Sequence, residues 1–492
     1  MALALPPIGP WWLSLISMSG LLLLVQPAAT RWRMFLLGLS FGTGYFIFAF
    51  HWIGYAFLVD AQTYLWMMPF AVGGLALFMG SYWGIGFVLA QQLHRWRVPM
   101  FVGVPFGIAF VEWLRGYLFT GFPWAAPGLI SDGMGGVLQL ASLIGMSGLT
   151  FWVLLWAAVP FALLQHWKSA PIAFRALLVV ISMALPLSWV WGNDRLAKTP
   201  TQFVEGVSIR LVQPNINQDD KWRDENALKI FNTLIAMSNE AAAVRPTHII
   251  WPESAVSFLL DESPQGLQAI GTMLGQDRLL LTGAIRRNAG EDQKYYTSVL
   301  LIDGQGQVKG RYDKWRLVPG GEYLPLAWAL EPLGFRKVVS LPESFSAGVG
   351  PRSVAVGKAG FAGPLICYEA VFPHDLVEVG KRPDWLVNVT NDGWFGFSVG
   401  PHQHLAQVRM RAVEQGLPIA RAANTGISAM IDPLGRYLKA SELGDVMVVD
   451  SRLPQALTPT AFARWGVWAG FMLIGLLVFV SRLCRFTRST KC

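Results

Sequence analysis

Cysteine is nearly absent from this chain. Only three occur in 492 residues, and two of them, Cys484 and Cys492, fall in the last nine. That excludes a disulfide-built scaffold and a cysteine-rich metal centre. Charge is also scarce. Asp, Glu, Lys and Arg make up 14% of the residues, against about 25% in an ordinary soluble chain. Hydrophobic residues make up 53%, so an ordinary soluble protein is excluded. The net charge is +8, but the basic residues form no nucleic-acid module.

The apolar residues are concentrated in runs. Residues 11–30 carry no charge, 34–59 contain only His51, and 62–92 lack Asp, Glu, Lys and Arg. Further runs lie near 98–119, 135–165, 171–192 and 465–481. A bilayer-crossing helix needs about 20 apolar residues. The pattern predicts about seven spans: an N-terminal bundle of six over 1–195, a non-membrane domain over 203–455, and a last helix with a basic tail over 463–492. Gly38 and Gly42, and likewise Gly80 and Gly84, have the spacing that lets membrane helices approach closely. Glu112 and Arg115 share one helical face, where ionisable residues are costly and are expected to be paired or functional.

Basic loops mark the cytoplasmic side. Arg31 and Arg33, Arg95 and Arg97, Lys168 and Arg175, and the tail with Arg482, Arg485, Arg488 and Lys491 all fall on one side of such a bundle. The 203–455 domain is therefore expected outside the cytoplasm, on the periplasmic face of a bacterial inner membrane. This topology also places Met1 outside, and the expectation is that a first helix precedes the given start.

Within the domain, strand-like runs alternate with helical ones, which predicts a layered α/β fold. The strand-like runs are VSIRLVQPN, THIIWPES, RLLLTGAIRR, TSVLLIDGQGQVKGRYDK, AGPLICYEA, DWLVNVTND and SAMIDPLGRYL. Glu253, Cys367 and Asn391 sit at strand ends, where such folds place catalytic groups. Cys367 is the only thiol of the domain. In an oxidising compartment a buried filler position is better served by Ala or Val, so Cys367 reads as a nucleophile. Its partners are sought among carboxylates and lysines, Glu253 and Lys314 first. HQH at 402–404 has no second ligand cluster, so no metal is expected, and no cofactor.

Four segments then carry a resemblance: WPES at 251–254, KWRLVPGGEYLP at 314–325, ICYEAVFP at 366–373 and NDGWFG at 391–396. In this order they resemble the Glu-Lys-Cys enzymes of the nitrilase superfamily. With EWLRG at 112–116, TGFPW at 120–124, VQPNINQDDKW at 212–222 and GPHQH at 400–404, nearly the whole chain is similar to the apolipoprotein N-acyltransferase family. The resemblance implies an inserted α-β-β-α sandwich on a helical membrane bundle. It implies Glu253 as general base, Lys314 as the cation beside the oxyanion and Cys367 as nucleophile. Glu322, Tyr368, Glu369 and Trp222 are implied as supporting residues. The family usually has Phe at Gly320, Asn at Thr297, and one more N-terminal span.

The implied reaction moves an acyl chain from a membrane phospholipid, through a Cys367 thioester, to the α-amine of a diacylglyceryl-cysteine on an apolipoprotein. The chain is expected to act as a monomer, with Lys314 favouring the thiolate. Trp124, Trp394 and Phe395 are lipid-contact candidates, expected at the membrane interface where aromatics collect. The rival enzyme reading is a membrane-anchored amidase with the same three residues. A transporter reading lacks a broken-helix repeat and leaves the three residues unexplained.

Overall fold

The computed structural model describes residues 1–25, 30–59, 61–288, 294–324, 328 and 345–486, with backbone alone at 485 and 486. The basic residues of the tail beyond Arg482 lie outside the described side chains.

Among the described residues the apolar part of the chain holds the helices Leu13–Leu24, Arg31–Phe50, Met68–Arg95, Met100–Arg115, Ala141–His166, Ile172–Lys198 and Trp468–Phe486. Their lengths differ from the expectation of seven spans. Four helical stretches among the described residues are long and apolar enough to cross a membrane: Arg31–Leu58, Ala61–Arg95, Pro127–His166 and Ile172–Lys198. The first helix has 12 residues, about 18 Å at 1.5 Å per residue, well under the roughly 30 Å of a hydrocarbon core. It stops at Val25, which is extended, two residues before Pro27. The run near 98–119 yields a helix of 16 residues.

Glycine sets the closest helix approach. A Cβ on Gly38 would stand 2.6 Å from the Trp83 carbonyl oxygen, and one on Gly42 would stand 3.0 Å from Gly80 Cα. The Arg31–Phe50 and Met68–Arg95 helices thus touch backbone to backbone, as the glycine spacing predicts.

Between the Ile172–Lys198 and Trp468–Phe486 helices, the described residues form a sandwich of two six-stranded sheets. The first runs β12 (Met447–Pro454), β1 (Phe203–Gln213), β2 (His248–Trp251), β3 (Leu279–Arg287), β4 (Tyr295–Ile302) and β5 (Val308–Asp313). The second runs β11 (Tyr437–Ala440), β10 (Ala429–Ile431), β9 (Ile419–Ala423), β8 (Trp385–Thr390), β7 (Phe361–Ile366) and β6 (Val354–Ala355). β1, β2 and β3 are parallel, as are β7, β8 and β9. Alternate side chains along the central strands fill the space between the sheets: Ile209 and Leu211 from β1, Val387 and Val389 from β8, Ala420 and Ala422 from β9. The opposite faces are covered by helices, Ala227–Ser238 and Pro264–Leu274 on one sheet, Val399–Gln415 on the other.

The sandwich is fixed to the bundle by buried polar contacts. The Ala141–His166 helix is broken at Gly145, whose φ is +64°, and the Met146 N–H freed there donates to Glu414 Oε1 at 2.7 Å. Trp124 Nε1 donates to Gln403 Oε1 at 2.9 Å, and the Tyr368 hydroxyl to the Gly121 carbonyl at 2.7 Å. Glu112 and Arg115 form a buried ion pair. Arg115 also donates to the Phe122 and Trp124 carbonyls, so the pair holds the 120–125 loop against the sandwich.

Candidate active site

Three strand ends converge. Glu253 lies two residues past β2, Lys314 directly follows β5, and Cys367 directly follows β7. Cys367 opens a short 3-10 turn with φ +47°. A non-glycine residue in the left-handed region is uncommon and is retained where surrounding contacts enforce it. Ser254, beside Glu253, has φ +45°.

Lys314 Nζ sits 3.2 Å from Glu253 Oε1 and 2.9 Å from Glu322 Oε1. Glu253 Oε2 accepts from the Asn391 N–H at 3.0 Å, and Glu322 Oε2 from the Val318 N–H at 2.8 Å. Lys221 Nζ donates to the Glu253 carbonyl at 3.1 Å. Glu369 lies beneath, tying the lysine loop to the cysteine turn. Its carboxylate accepts from the Tyr312 hydroxyl, the Trp315 N–H at 2.8 Å and the Ile366 N–H at 2.7 Å.

Electrostatics follow from burial. Desolvation opposes the Lys314 charge, but Glu253 and Glu322 outweigh it and hold the ammonium well above its ordinary pKa. Burial raises the Glu322 carboxyl, against the pull of Lys314. Burial also lifts Glu369 to about 7, against the donors around it. Cys367 differs from the expectation of a thiolate. Burial pushes its thiol far up, Glu253 adds to this, and Lys314 offsets only part. Burial thus favours the neutral thiol, for which a base is needed at the moment of attack.

These groups line one pole of a cavity of about 570 Å³ between sandwich and bundle. Glu253, Lys314, Glu322, Cys367, Tyr368, Asn391 and Trp222 face it from the sandwich, as do Trp394 and Phe395. Trp52, Phe57, Leu75, Phe78, Met79 and Trp124 form much of the bundle wall. Glu369 is not part of the lining. Gly320 lines the cavity with φ +78° and open space where a Cβ would be. Trp124 lines the cavity from within rather than lying open on the surface. It is 1% exposed and wedged between Trp52 and Phe395, at ring distances of 4.6 and 5.6 Å. Its hydrogen bond to Gln403 explains the burial, because the indole N–H finds its partner inside.

Cys367, Asp392 and His404 offer ligand atoms within 4.8 Å of one another. The protein already engages the two polar members. The His404 nitrogens face Asp392 Oδ1 at 2.9 Å and the Cys367 carbonyl at 3.2 Å. Arg421 donates to Asp392 Oδ2 at 2.6 Å. Sequence reasoning missed Trp52 and Lys221. Trp52 was hidden in an apolar run. Lys221 stands in the quoted VQPNINQDDKW segment beside Trp222, and a lysine there reads as a solvated charge.

The sandwich, with its acid, lysine and thiol at strand ends, has the form of a carbon-nitrogen hydrolase domain, and the Carbon-nitrogen hydrolase family matches residues 208–456. The Apolipoprotein N-acyltransferase N-terminal domain matches residues 1–159. The apolipoprotein N-acyltransferase of Rhodopseudomonas palustris is 38% identical, covering 90% of this chain and 84% of that protein. That of Rhizobium rhizogenes is 36% identical, covering 98% and 93%. A solved amidase from Nesterenkonia superposes with a TM-score of 0.36 at 16% identity, over 52% of this chain and 93% of that one. This chain belongs to the apolipoprotein N-acyltransferase family.

Proposed function

We propose that the protein transfers an acyl chain from a membrane phospholipid to the α-amine of an apolipoprotein's diacylglyceryl-cysteine. The observation that carries this reading is the cavity. Its polar pole holds Glu253, Lys314 and Cys367, and its bundle side is an apolar wall with room for a hydrocarbon chain. The amidase alternative gives that wall no task.

In the first step Glu253 takes the Cys367 proton as sulfur attacks the ester carbonyl. The resulting oxyanion is met by the Lys314 ammonium and the Tyr368 backbone N–H. Collapse breaks the ester C–O bond, and Glu253 returns its proton to the leaving lysophospholipid alcohol. A thioester remains on Cys367. In the second step an α-amine attacks, Glu253 accepts its proton, and the thiolate leaves and is reprotonated.

The reading places the sandwich on the periplasmic side of the inner membrane. It is supported by the position of the basic residues: Arg31 begins one crossing helix, Arg95 ends the next, and Lys168 follows a third. The sandwich contacts lie at the opposite helix ends, around Trp52 and Trp124. The deciding experiment is intact-protein mass spectrometry of the purified full-length protein after incubation with phosphatidylethanolamine. The expected result is one acyl chain on Cys367 and release of lysophospholipid, with none in Cys367→Ala. An unmodified wild-type Cys367 overturns the reading.

A further inference from the structure

Lys221 is 1% exposed and ends a short helix, Gln218–Lys221. Its ammonium makes one hydrogen bond among the described residues, to the main-chain carbonyl of Glu253 at 3.1 Å. Its remaining contact is the Trp222 ring, 5.6 Å to the centroid. A buried lysine with so few partners is costly unless an opposite charge lies close. The acids on its own helix, Asp219 and Asp220, point away and are exposed. The carboxylate felt at Lys221 is Glu253.

Charge counting gives Lys221 a task. Glu253 and Glu322 share the single charge of Lys314, which leaves that trio one negative charge in excess. Burial favours the neutral Cys367 thiol, Asp392 beyond it is matched by Arg421, and Glu369 beneath, raised by burial to about 7, adds at most further negative charge. Lys221 supplies the missing positive charge.

We infer that Lys221 is a positioning residue of the nucleophilic site. It holds the main chain of Glu253 and balances the Glu253–Lys314–Glu322 trio, so that negative charge can develop at Cys367 sulfur and at the oxyanion. A Lys221 that loses its proton leaves the trio net negative, and sulfur ionises less readily. Burial brings its pKa down to about 8, against the pull of Glu253, so this loss falls within reach of experiment.

The inference rests on the acyl-transfer reading, and two readouts separate the two. Full-length protein in detergent is followed by mass spectrometry at Cys367, for acylation by phosphatidylethanolamine and for alkylation by iodoacetamide. Failure of wild-type acylation sinks the acyl-transfer reading, while alkylation still tests Lys221. At neutral pH, Lys221→Met should slow both reactions about tenfold, the equivalent of one pKa unit at sulfur. The half-saturating phospholipid concentration should stay unchanged. Lys221→Arg, which keeps the charge, should restore the rates to within about threefold. Above about pH 8 the arginine variant should gain on wild type, whose lysine discharges there. Met at wild-type rates, or Arg as slow as Met, overturns the proposal. If neither variant folds, the wild-type alkylation profile decides. Its logarithm should bend near the same pH, and a straight line through that region refutes the assignment.

Discussion

Glu322 Oε1 stands 2.9 Å from Lys314 Nζ, nearer than Glu253 Oε1 at 3.2 Å. The lysine is therefore held from two sides, and the closer acid is not the proposed base. The fold explains this. The chain turns back through Pro319, Gly320 and Gly321, and the Val318 N–H clamps the other Glu322 oxygen. Glu322 thus gives the ammonium a second anchor beside Glu253, whose own oxygens face Lys314 and the Asn391 N–H.

Glu322→Gln should slow acylation of Cys367 by about 100-fold, because a misaimed group near the reacting atoms costs that much. Glu322→Ala should be at least as slow. Both proteins should remain folded and membrane-inserted. The measurement is the single-turnover rate with phosphatidylethanolamine, and wild-type rates in both would reduce Glu322 to a loop anchor.

Removal of the proposed base or cation should be deeper. Glu253→Gln is expected to lower acylation by about 100- to 10,000-fold, with Lys314→Met in the same range. Cys367→Ser should form no acyl adduct at that position, because a hydroxyl lacks the intrinsic reactivity of sulfur. The check is the hydroxylamine-labile adduct on residue 367, and normal turnover in Cys367→Ser would contradict the covalent route.

Glu369 makes a prediction about stability. Its pKa is raised by burial from 4.5 to about 7. Between these values the folded protein holds a proton that the unfolded chain has released. This contribution is present below about pH 4.5 and is lost as pH rises through about 7. Glu414 is raised to about 7 as well, also by burial. Glu369→Gln should therefore flatten part of the decline in Tm across that window. An unchanged slope would show that Glu369 is ionised throughout.

The glycine contact between helices gives a paired test. Gly38→Leu drives a side chain into the Trp83 carbonyl, whereas a Cβ on Gly44, in the same helix, would have nothing within 4 Å. Gly38→Leu should lower thermal stability in detergent, and Gly44→Leu should leave it unchanged. Equal effects would show that helix propensity, and not contact, governs both.

Topology is open to the same treatment. A reporter fused near residue 300 should behave as periplasmic, and cytoplasmic behaviour would overturn the periplasmic placement of the sandwich.

The candidate site was legible because its parts are local. WPES and ICYE each place a reactive residue past the end of an apolar parallel strand, β2 of one sheet and β7 of the other, and YDKW places Lys314 just past the antiparallel β5, so the three ends meet across the two sheets. Three strands were not legible: the two-residue β6, β9 and β12. β9 reads IARAA, alanine-rich and interrupted by Arg421, and it is recognisable only through Asp392 and Asn388, which hold that arginine. β12 earns its place through pairing with β1, over 200 residues away. The Pro264–Leu274 helix carried readable signals, a Ser263 N-cap and a Gly275 stop, that the apolar pattern overshadowed. Charge state was beyond the sequence. Whether Cys367 rests as thiol or thiolate depends on burial, which composition does not report.

The bundle wall of the cavity has a kinetic consequence. Trp52, Phe57, Leu75, Phe78 and Met79 meet the reactive pole without a charged group among them. A water molecule arriving from that side finds one side-chain polar group along this stretch, the Trp52 indole N–H, unpartnered among the described residues, and no acceptor. An intermediate on Cys367 would thus be shielded from hydrolysis by poverty of solvent rather than by a gate. Its lifetime would be set by how long the amine takes to arrive. On the proposed route, such a protein would keep acyl chains out of water's reach by where its reaction happens, and the choice between transfer and waste would be made by the surroundings of the sulfur as well as by the three reactive side chains.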